Sequence, residues 1–216
     1  MKDLFKTNLS FLLPYLIFIT GGAILIAVNS KAETHLEFNS LHSQFFDVFF
    51  SYFTRLGDGF TLTLVVIILL TVRFRIALFV AAANIIAAII TQTLKRTIFS
   101  DVVRPKKFFE GLNEIYFVPG IDNHLYYSFP SGHSTCAFSL YFALALLSKN
   151  KILKFAFFLI ALLAGYSRIY LSQHFFEDVY TGSLIGVTVT GITFFYINKI
   201  KKGPLDDSLI TVFKNL

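Results

Sequence analysis

Long apolar runs separated by short polar clusters dominate this chain. The runs fall at about 10–29, 59–73, 76–94, 132–148, 153–171 and 178–198. Each approaches the roughly 20 residues that a helix needs to cross a bilayer. The pattern predicts an all-α fold, a polytopic bundle of six transmembrane helices in a single domain covering 1–216. The second run is short and is expected to tilt little or to begin among the headgroups. Between the first two runs, segment 31–58 spaces Leu41, Phe45, Phe49, Tyr52 or Phe53, and Leu56 at three- and four-residue intervals. His42, Gln44, Asp47, Ser51 and Arg55 fall largely between them, a period that predicts an amphipathic helix lying on the membrane. "RLGDG" (55–59) supplies the break before the second span. Small residues mark two spans: Ala81, Ala82, Ala83, Ala87 and Ala88 in the third, Gly182 and Gly186 in the sixth. The GxxxG spacing predicts close helix packing, within the chain or between subunits.

Composition supports this reading. Hydrophobic residues make up 55% of the chain and charged ones only 15%, against about 25% charged in soluble domains. The formal charge of +6 raises the question of nucleic acid, but the cations keep time with the spans. Lys2 and Lys6 precede the first, Arg73 and Arg75 lie between the second and third, Lys149, Lys151 and Lys154 between the fourth and fifth, and Lys199, Lys201 and Lys202 after the sixth. In a six-span arrangement all of them reach one side, which places both termini in the cytoplasm and argues against nucleic-acid binding. Phe11–Val28 is longer than a secretory leader's apolar core and reads as a span. Cys136 is the only cysteine, so no intramolecular disulfide is expected.

Three polar elements interrupt this apolar design. In "GYSRIYLSQHFFEDVYTG" (165–182), His174 and Asp178 are four residues apart, a spacing that on a helix brings them together. A carboxylate on one imidazole nitrogen fixes the tautomer and strengthens the other as a nucleophile. The same spacing also suits half a metal site or a structural pair. A bend near Ser172, or a long reach, is needed to bring Arg168 to His174. In "FPSGHS" (129–134), Pro130 and Ser131 start a helix, and the free N–H groups of Ser131 and Gly132 are expected to face an anion. His133 in the first turn is placed to give a proton there, or is simply an interfacial histidine. In the loop 95–130, Lys95 and Arg104 with Pro105 offer cations for phosphate oxygens, or snorkel to the headgroups. The topology brings all three elements to one membrane surface. Cations, two histidines and one paired carboxylate suit phosphoryl transfer. Added metal would be repelled by the cations, so neither a metal nor another cofactor is expected.

"K…RP", "PSGH" and "SRIYLSQHFFED" resemble the signature motifs of the type-2 phosphatidic acid phosphatase superfamily, which also includes glucose-6-phosphatase and the vanadium haloperoxidases. The second and third motifs match in every fixed residue: Pro130, Ser131, Gly132 and His133, then Ser167, Arg168, His174 and Asp178. The first departs: eight residues separate Lys95 from Arg104, and seven separate Arg96 from it, where the family usually has six. Neighbouring helical positions diverge by about 100°, so only one of Lys95 and Arg96 is expected to face the site, and residue type favours Lys95. The resemblance implies that His174 attacks phosphorus, oriented by Asp178, to give a phosphohistidine, and that His133 protonates the leaving oxygen and then activates water. It implies that Lys95, Arg104, Ser131, Gly132 and Arg168 hold the phosphate. The partners it implies are membrane lipids and a phosphorylated lipid substrate, such as undecaprenyl diphosphate, phosphatidylglycerol phosphate, phosphatidic acid or lipid A phosphate. Small size and short loops suggest a bacterial inner membrane, with the site on its outer face. A phosphotransferase using the same histidine and a non-catalytic anionic-lipid binder or transporter are the alternatives. Oligomeric state is not legible. Glu177 lies outside the motif and reads as a solvated or capping acid.

Overall fold

The computed structural model describes residues 6–111, 115–201 and 203–214. Lys2 and Lys202 of the charge pattern, and 112–114 of the loop, lie outside the described residues. Apart from the single turn Pro105–Phe108 and short 3-10 turns, the helices in chain order are α1 (Leu9–Val28), α2 (Lys31–Asn39), α3 (Gln44–Phe53), α4 (Gly59–Val72), α5 (Phe74–Thr97), α6 (Gly132–Leu147), α7 (Lys151–Tyr170), α8 (Phe176–Ile197) and α9 (Leu209–Lys214). No strand occurs among the described residues. Four helices, α1, α5, α7 and α8, are individually long and apolar enough to cross a membrane, and α3 with α4 qualifies as a pair bent by 50°. Of the six runs, that of α6 is apolar but only 16 residues long.

The shortest of the central helices is also the most enclosed. α6 is apolar round its whole circumference, which is the signature of a helix packed on all sides. Thr135, Phe138, Leu140, Phe142 and Ala145 are among its buried residues, and α5, α7 and α8 pack around it. α1 closes the bundle through the fully buried Phe11, whose ring sits 4.9 Å from Phe142 and 5.7 Å from Phe158. Asn150 starts α7 by accepting the Ile152 and Leu153 N–H groups on Oδ1. The α6–α7 turn is therefore short and the two helices run antiparallel.

Segment 31–58 is helical but divided. Ser30 caps α2 through a reciprocal bond with Glu33, the chain turns at 40–43, and α3 follows. α3 is amphipathic as the spacing suggests, and one side of it also packs on the bundle. Phe50 is buried against Tyr166 and Tyr170 of α7, with Phe49 and Phe53 beside it. Leu41, Phe45 and Tyr52 are exposed. The turn after Asn39 shifts the phase between the two halves, so no single helical period runs through both.

The buried Lys154 and the half-buried Arg75 tie the end of the bundle that carries the cationic clusters. Lys154 Nζ donates to Thr7 O and Asn8 Oδ1. Arg75 grips Asp206 with two bonds of 2.9 and 2.8 Å and donates to the Ile197, Ile200 and Lys201 carbonyls, closing the end of α8.

At the other end, α8 meets α6 nearly backbone to backbone. A Cβ at Gly182 would lie 2.6 Å from the Ser131 carbonyl oxygen, and one at Gly186 would lie 2.6 Å from that of Thr135. The GxxxG pair thus serves packing within the chain. Gly182→Ala and Gly186→Ala are expected to cost about 1–3 kcal/mol of stability, because backbone cannot yield as a side chain can. Gly21→Ala, with no atom near its added Cβ, is expected to be neutral or slightly stabilising. Thermal unfolding in detergent checks this. Equal melting of all three variants would contradict the close contact.

Candidate active site

The stretch 165–182 folds as helix end, turn and helix start. α7 stops at Tyr170, and Ser172 takes a left-handed φ of 51°, unusual for a residue with a Cβ. Ser172 is fully buried; its hydroxyl accepts from Asn39 Nδ2 at 3.2 Å and bonds His35 Nε2 at 3.2 Å. The Gln173 and His174 N–H groups both donate to the Arg168 carbonyl, at 2.9 and 3.1 Å. This is the bend that Arg168 and His174 required. His174 therefore lies in the turn ahead of α8, while Asp178 sits in the first turn of that helix.

Asp178 is fully buried, and its Oδ2 accepts three bonds: from Ser128 Oγ at 2.5 Å, the Phe175 N–H at 3.0 Å and His174 Nδ1 at 3.1 Å. With the proton held on Nδ1, the Nε2 lone pair of His174 is free, and the ring lines a cavity of about 290 Å³. Burial first, then the charges of Arg104, Lys95 and Arg168, push the His174 pKa well below 6.5. The Asp178 carboxylate opposes this, but one anion is outweighed by burial and three cations. The resting ring is neutral.

The cavity is lined by Lys95, Arg104, Gly132, His133, Arg168, Gln173 and His174, with Ala88, Thr91, Gln92 and His124. Thr91, one turn before Lys95 on α5, bonds Thr135 of α6 at 3.1 Å, which turns that face of α5 inward. Lys95 is accordingly buried, while Arg96 is exposed and lines only the wider outer hollow. Lys95 has no hydrogen-bond partner among the described residues. Arg104 donates from Nε to Tyr126 O, from Nη1 to Gln173 O and from Nη2 to Tyr127 O. Arg168 donates from Nη1 to Thr54 Oγ1 and from Nη2 to Gln173 Oε1, both at 2.8 Å, and its buried Nε is unpartnered among the described residues. No acidic residue lines the cavity. Its chemistry is that of an anion site beside a nucleophilic nitrogen.

One expectation needs correcting. The Ser131 N–H is not free: it donates to the Asp178 carbonyl at 3.0 Å across the α6–α8 contact. The Ser131 hydroxyl accepts from the Ser134 N–H and Oγ, and the residue is fully buried and absent from the cavity wall. Ser131 thus caps α6 and ties it to α8, leaving Gly132 and His133 to face the cavity. Glu177 is partly exposed and lies 3.8 Å from Lys31, in keeping with a solvated acid. Sequence reasoning missed Thr54, Ser128 and Gln173. Thr54 and Ser128 reach the site only through long-range folding, and Gln173 carries no charge to advertise it.

The chain is similar to known proteins in sequence and in fold. The sequence model of the PAP2 superfamily matches residues 76–202. Undecaprenyl-diphosphatase BcrC of Bacillus subtilis (strain 168) is 31% identical over 87 residues, 40% of this chain and 43% of that relative, so the match spans less than half of its length. The fold is similar to that of LpxE from Aquifex aeolicus, with a TM-score of 0.68, 29% identity and coverage of 76% of this chain and 94% of that one. It is also similar to the transmembrane PAP2-type phosphatidylglycerolphosphate phosphatase from Bacillus subtilis, with a TM-score of 0.63, 24% identity and coverage of 91% and 98%. The latter likeness is one of fold.

The depressed His174 pKa has a measurable sign. An unfolded chain takes up a proton as pH falls through about 6.5, whereas folded His174 does not. Its share of stability therefore declines below that pH. Nitrogen NMR of the imidazoles at pH 6, without phosphate, is expected to show His174 neutral with its proton on Nδ1. A protonated ring would contradict the cage's net positive character.

Proposed function

This multi-pass membrane chain belongs to the PAP2 superfamily, and we propose that it hydrolyses the phosphomonoester or diphosphate of a membrane lipid through a phosphohistidine at His174. The observation that carries this reading is the His174 ring, held by Asp178 at 3.1 Å through Nδ1 and lining a cavity walled by Lys95, Arg104 and Arg168.

The chemistry runs in two displacements. The Nε2 lone pair attacks phosphorus, and the bond from phosphorus to the lipid oxygen breaks. His133, which takes up a proton as the phosphate anion enters among the cations, gives it to that oxygen. Asp178 stabilises the imidazolium character that develops as the N–P bond forms, and Ser128 holds the carboxylate in place. Water then attacks the phosphohistidine, His133 accepts its proton, the N–P bond breaks and orthophosphate leaves. Lys95, Arg104, Arg168 and the Gly132 N–H hold the phosphate oxygens through both steps. Ser131 acts behind them by fixing α6 to Asp178. The cations and the histidine supply charge stabilisation and nucleophile, so the proposed reaction uses no metal.

The two ends of the bundle support an orientation. The site gathers the C-termini of α5 and α7 and the N-termini of α6 and α8. Arg73, Arg75, Lys149, Lys151 and Lys199 lie at the opposite end, which favours cytoplasmic termini and a site on the outer face of a bacterial inner membrane. A lipid can keep its tails among the helices there while its phosphate enters at headgroup level.

Purified protein in detergent, given a panel of lipid mono- and diphosphates, is expected to release orthophosphate with EDTA present. His174→Ala is expected to abolish release, and Asp178→Asn to slow it by about 10²–10⁴-fold. Release that persists in His174→Ala overturns the assigned nucleophile, and loss of release with EDTA overturns the metal-free chemistry. Label passed to a second lipid instead of water would indicate a transferase.

A further inference from the structure

Among the cavity residues to which the proposed chemistry gives no role, Gln173 touches both arginines. Gln173 is 7% exposed and sits in the turn between Arg168 and His174. Its side-chain oxygen accepts Arg168 Nη2 at 2.8 Å, and its backbone oxygen accepts Arg104 Nη1 at 3.2 Å. Its side-chain nitrogen donates to the Asp122 carbonyl at 2.7 Å, fixing the amide and so deciding which end faces the arginine. A single residue thus bridges two guanidiniums that come from elements 64 positions apart in sequence, Arg104 and Arg168.

We infer that Gln173 is a positioning residue for phosphate binding, fixing both arginines through neutral oxygens so that their positive charge stays available to the ligand. A carboxylate at this place would hold a guanidinium more strongly than an amide does. It would also neutralise the cavity before phosphate arrives. The remaining arginine contacts follow the same rule: the Thr54 hydroxyl and the Tyr126 and Tyr127 carbonyls are all uncharged. Asp178, the carboxylate nearest this cage, spends its bonded oxygen on Ser128, Phe175 and His174. Geometry and charge are thereby set by separate groups. This inference rests on reading the cavity as a phosphate site but needs no turnover.

The test compares Gln173→Glu with Gln173→Met by direct orthophosphate binding, followed through calorimetry, alongside melting temperature and KM on a lipid phosphate. Glu keeps the length and an acceptor for Arg168 but adds charge; Met keeps the length and removes both side-chain bonds. The expected order of orthophosphate affinity is wild type, then Met, then Glu, with Glu weaker than wild type by about tenfold or more. KM is expected to rise in the same order. A purely structural glutamine gives the reverse, with Met the more damaging and Glu mild, and that result overturns the inference. Should Gln173→Glu fail to fold, Gln173→Met is repeated in an Arg168→Met background. Little further loss there supports action through Arg168, whereas an additive loss overturns it. Phosphate binding in this order without any lipid hydrolysis would leave the inference standing and remove the phosphatase reading.

Discussion

Three cations buried together, with one carboxylate nearby that is already committed elsewhere, form the constraint on which the rest of this structure turns. Lys95, Arg104 and Arg168 are 6, 9 and 7% exposed. Removing each from water carries a penalty of several kcal/mol that only close partners offset. Here the partners are carbonyls, a hydroxyl and an amide, which orient the guanidiniums without cancelling them. Lys95 lacks even that among the described residues. Such a cage is stable only if the surrounding fold is rigid enough to prevent its charges from moving apart or out to water. The buried α6, the glycine contacts between α6 and α8 and the Ser172 turn supply that rigidity.

The same constraint explains why the His174–Asp178 pair is built as it is. A histidine surrounded by cations stays neutral, and a neutral imidazole is the nucleophilic form. In the proposed reaction, the cations that attract phosphate therefore also keep the attacking nitrogen ready. Asp178 cannot be spared to balance the arginines because it selects the His174 tautomer. Ser131 reinforces the arrangement from behind, since its N–H on the Asp178 carbonyl locks the start of α6 to the first turn of α8. The arriving anion completes the charge balance that the protein leaves open.

Much of this was legible in the chain. Apolar runs gave the all-helical membrane architecture, and the spacing of His174 and Asp178 gave their pairing. That only one of Lys95 and Arg96 could face the site also followed from helical geometry, although the Thr91–Thr135 contact decides which. What the sequence could not reveal depends on contacts between distant segments. The Ser131 N–H looked free because helix starts usually leave it so; its partner lies 47 residues later, brought close by Gly182. Gln173 carries no charge to mark it in the sequence, and its contacts need Arg104 and Asp122 folded against it. The period over 31–58 gave the amphipathic α3 but not the break ahead of it. A turn at 40–43 divides the segment, and Phe50, outside the spaced set, packs with Phe49 and Phe53 from within it.

The central claim is that His174 itself carries the phosphoryl group, and covalent trapping tests it most directly. Protein mixed with a lipid labelled in its terminal phosphate would be quenched in alkali, digested and mapped by peptide. The account predicts a transient label, stable to base and labile to acid, on the peptide that contains His174, and none in His174→Ala. Turnover with no label on that peptide, or with label on another residue, would contradict it.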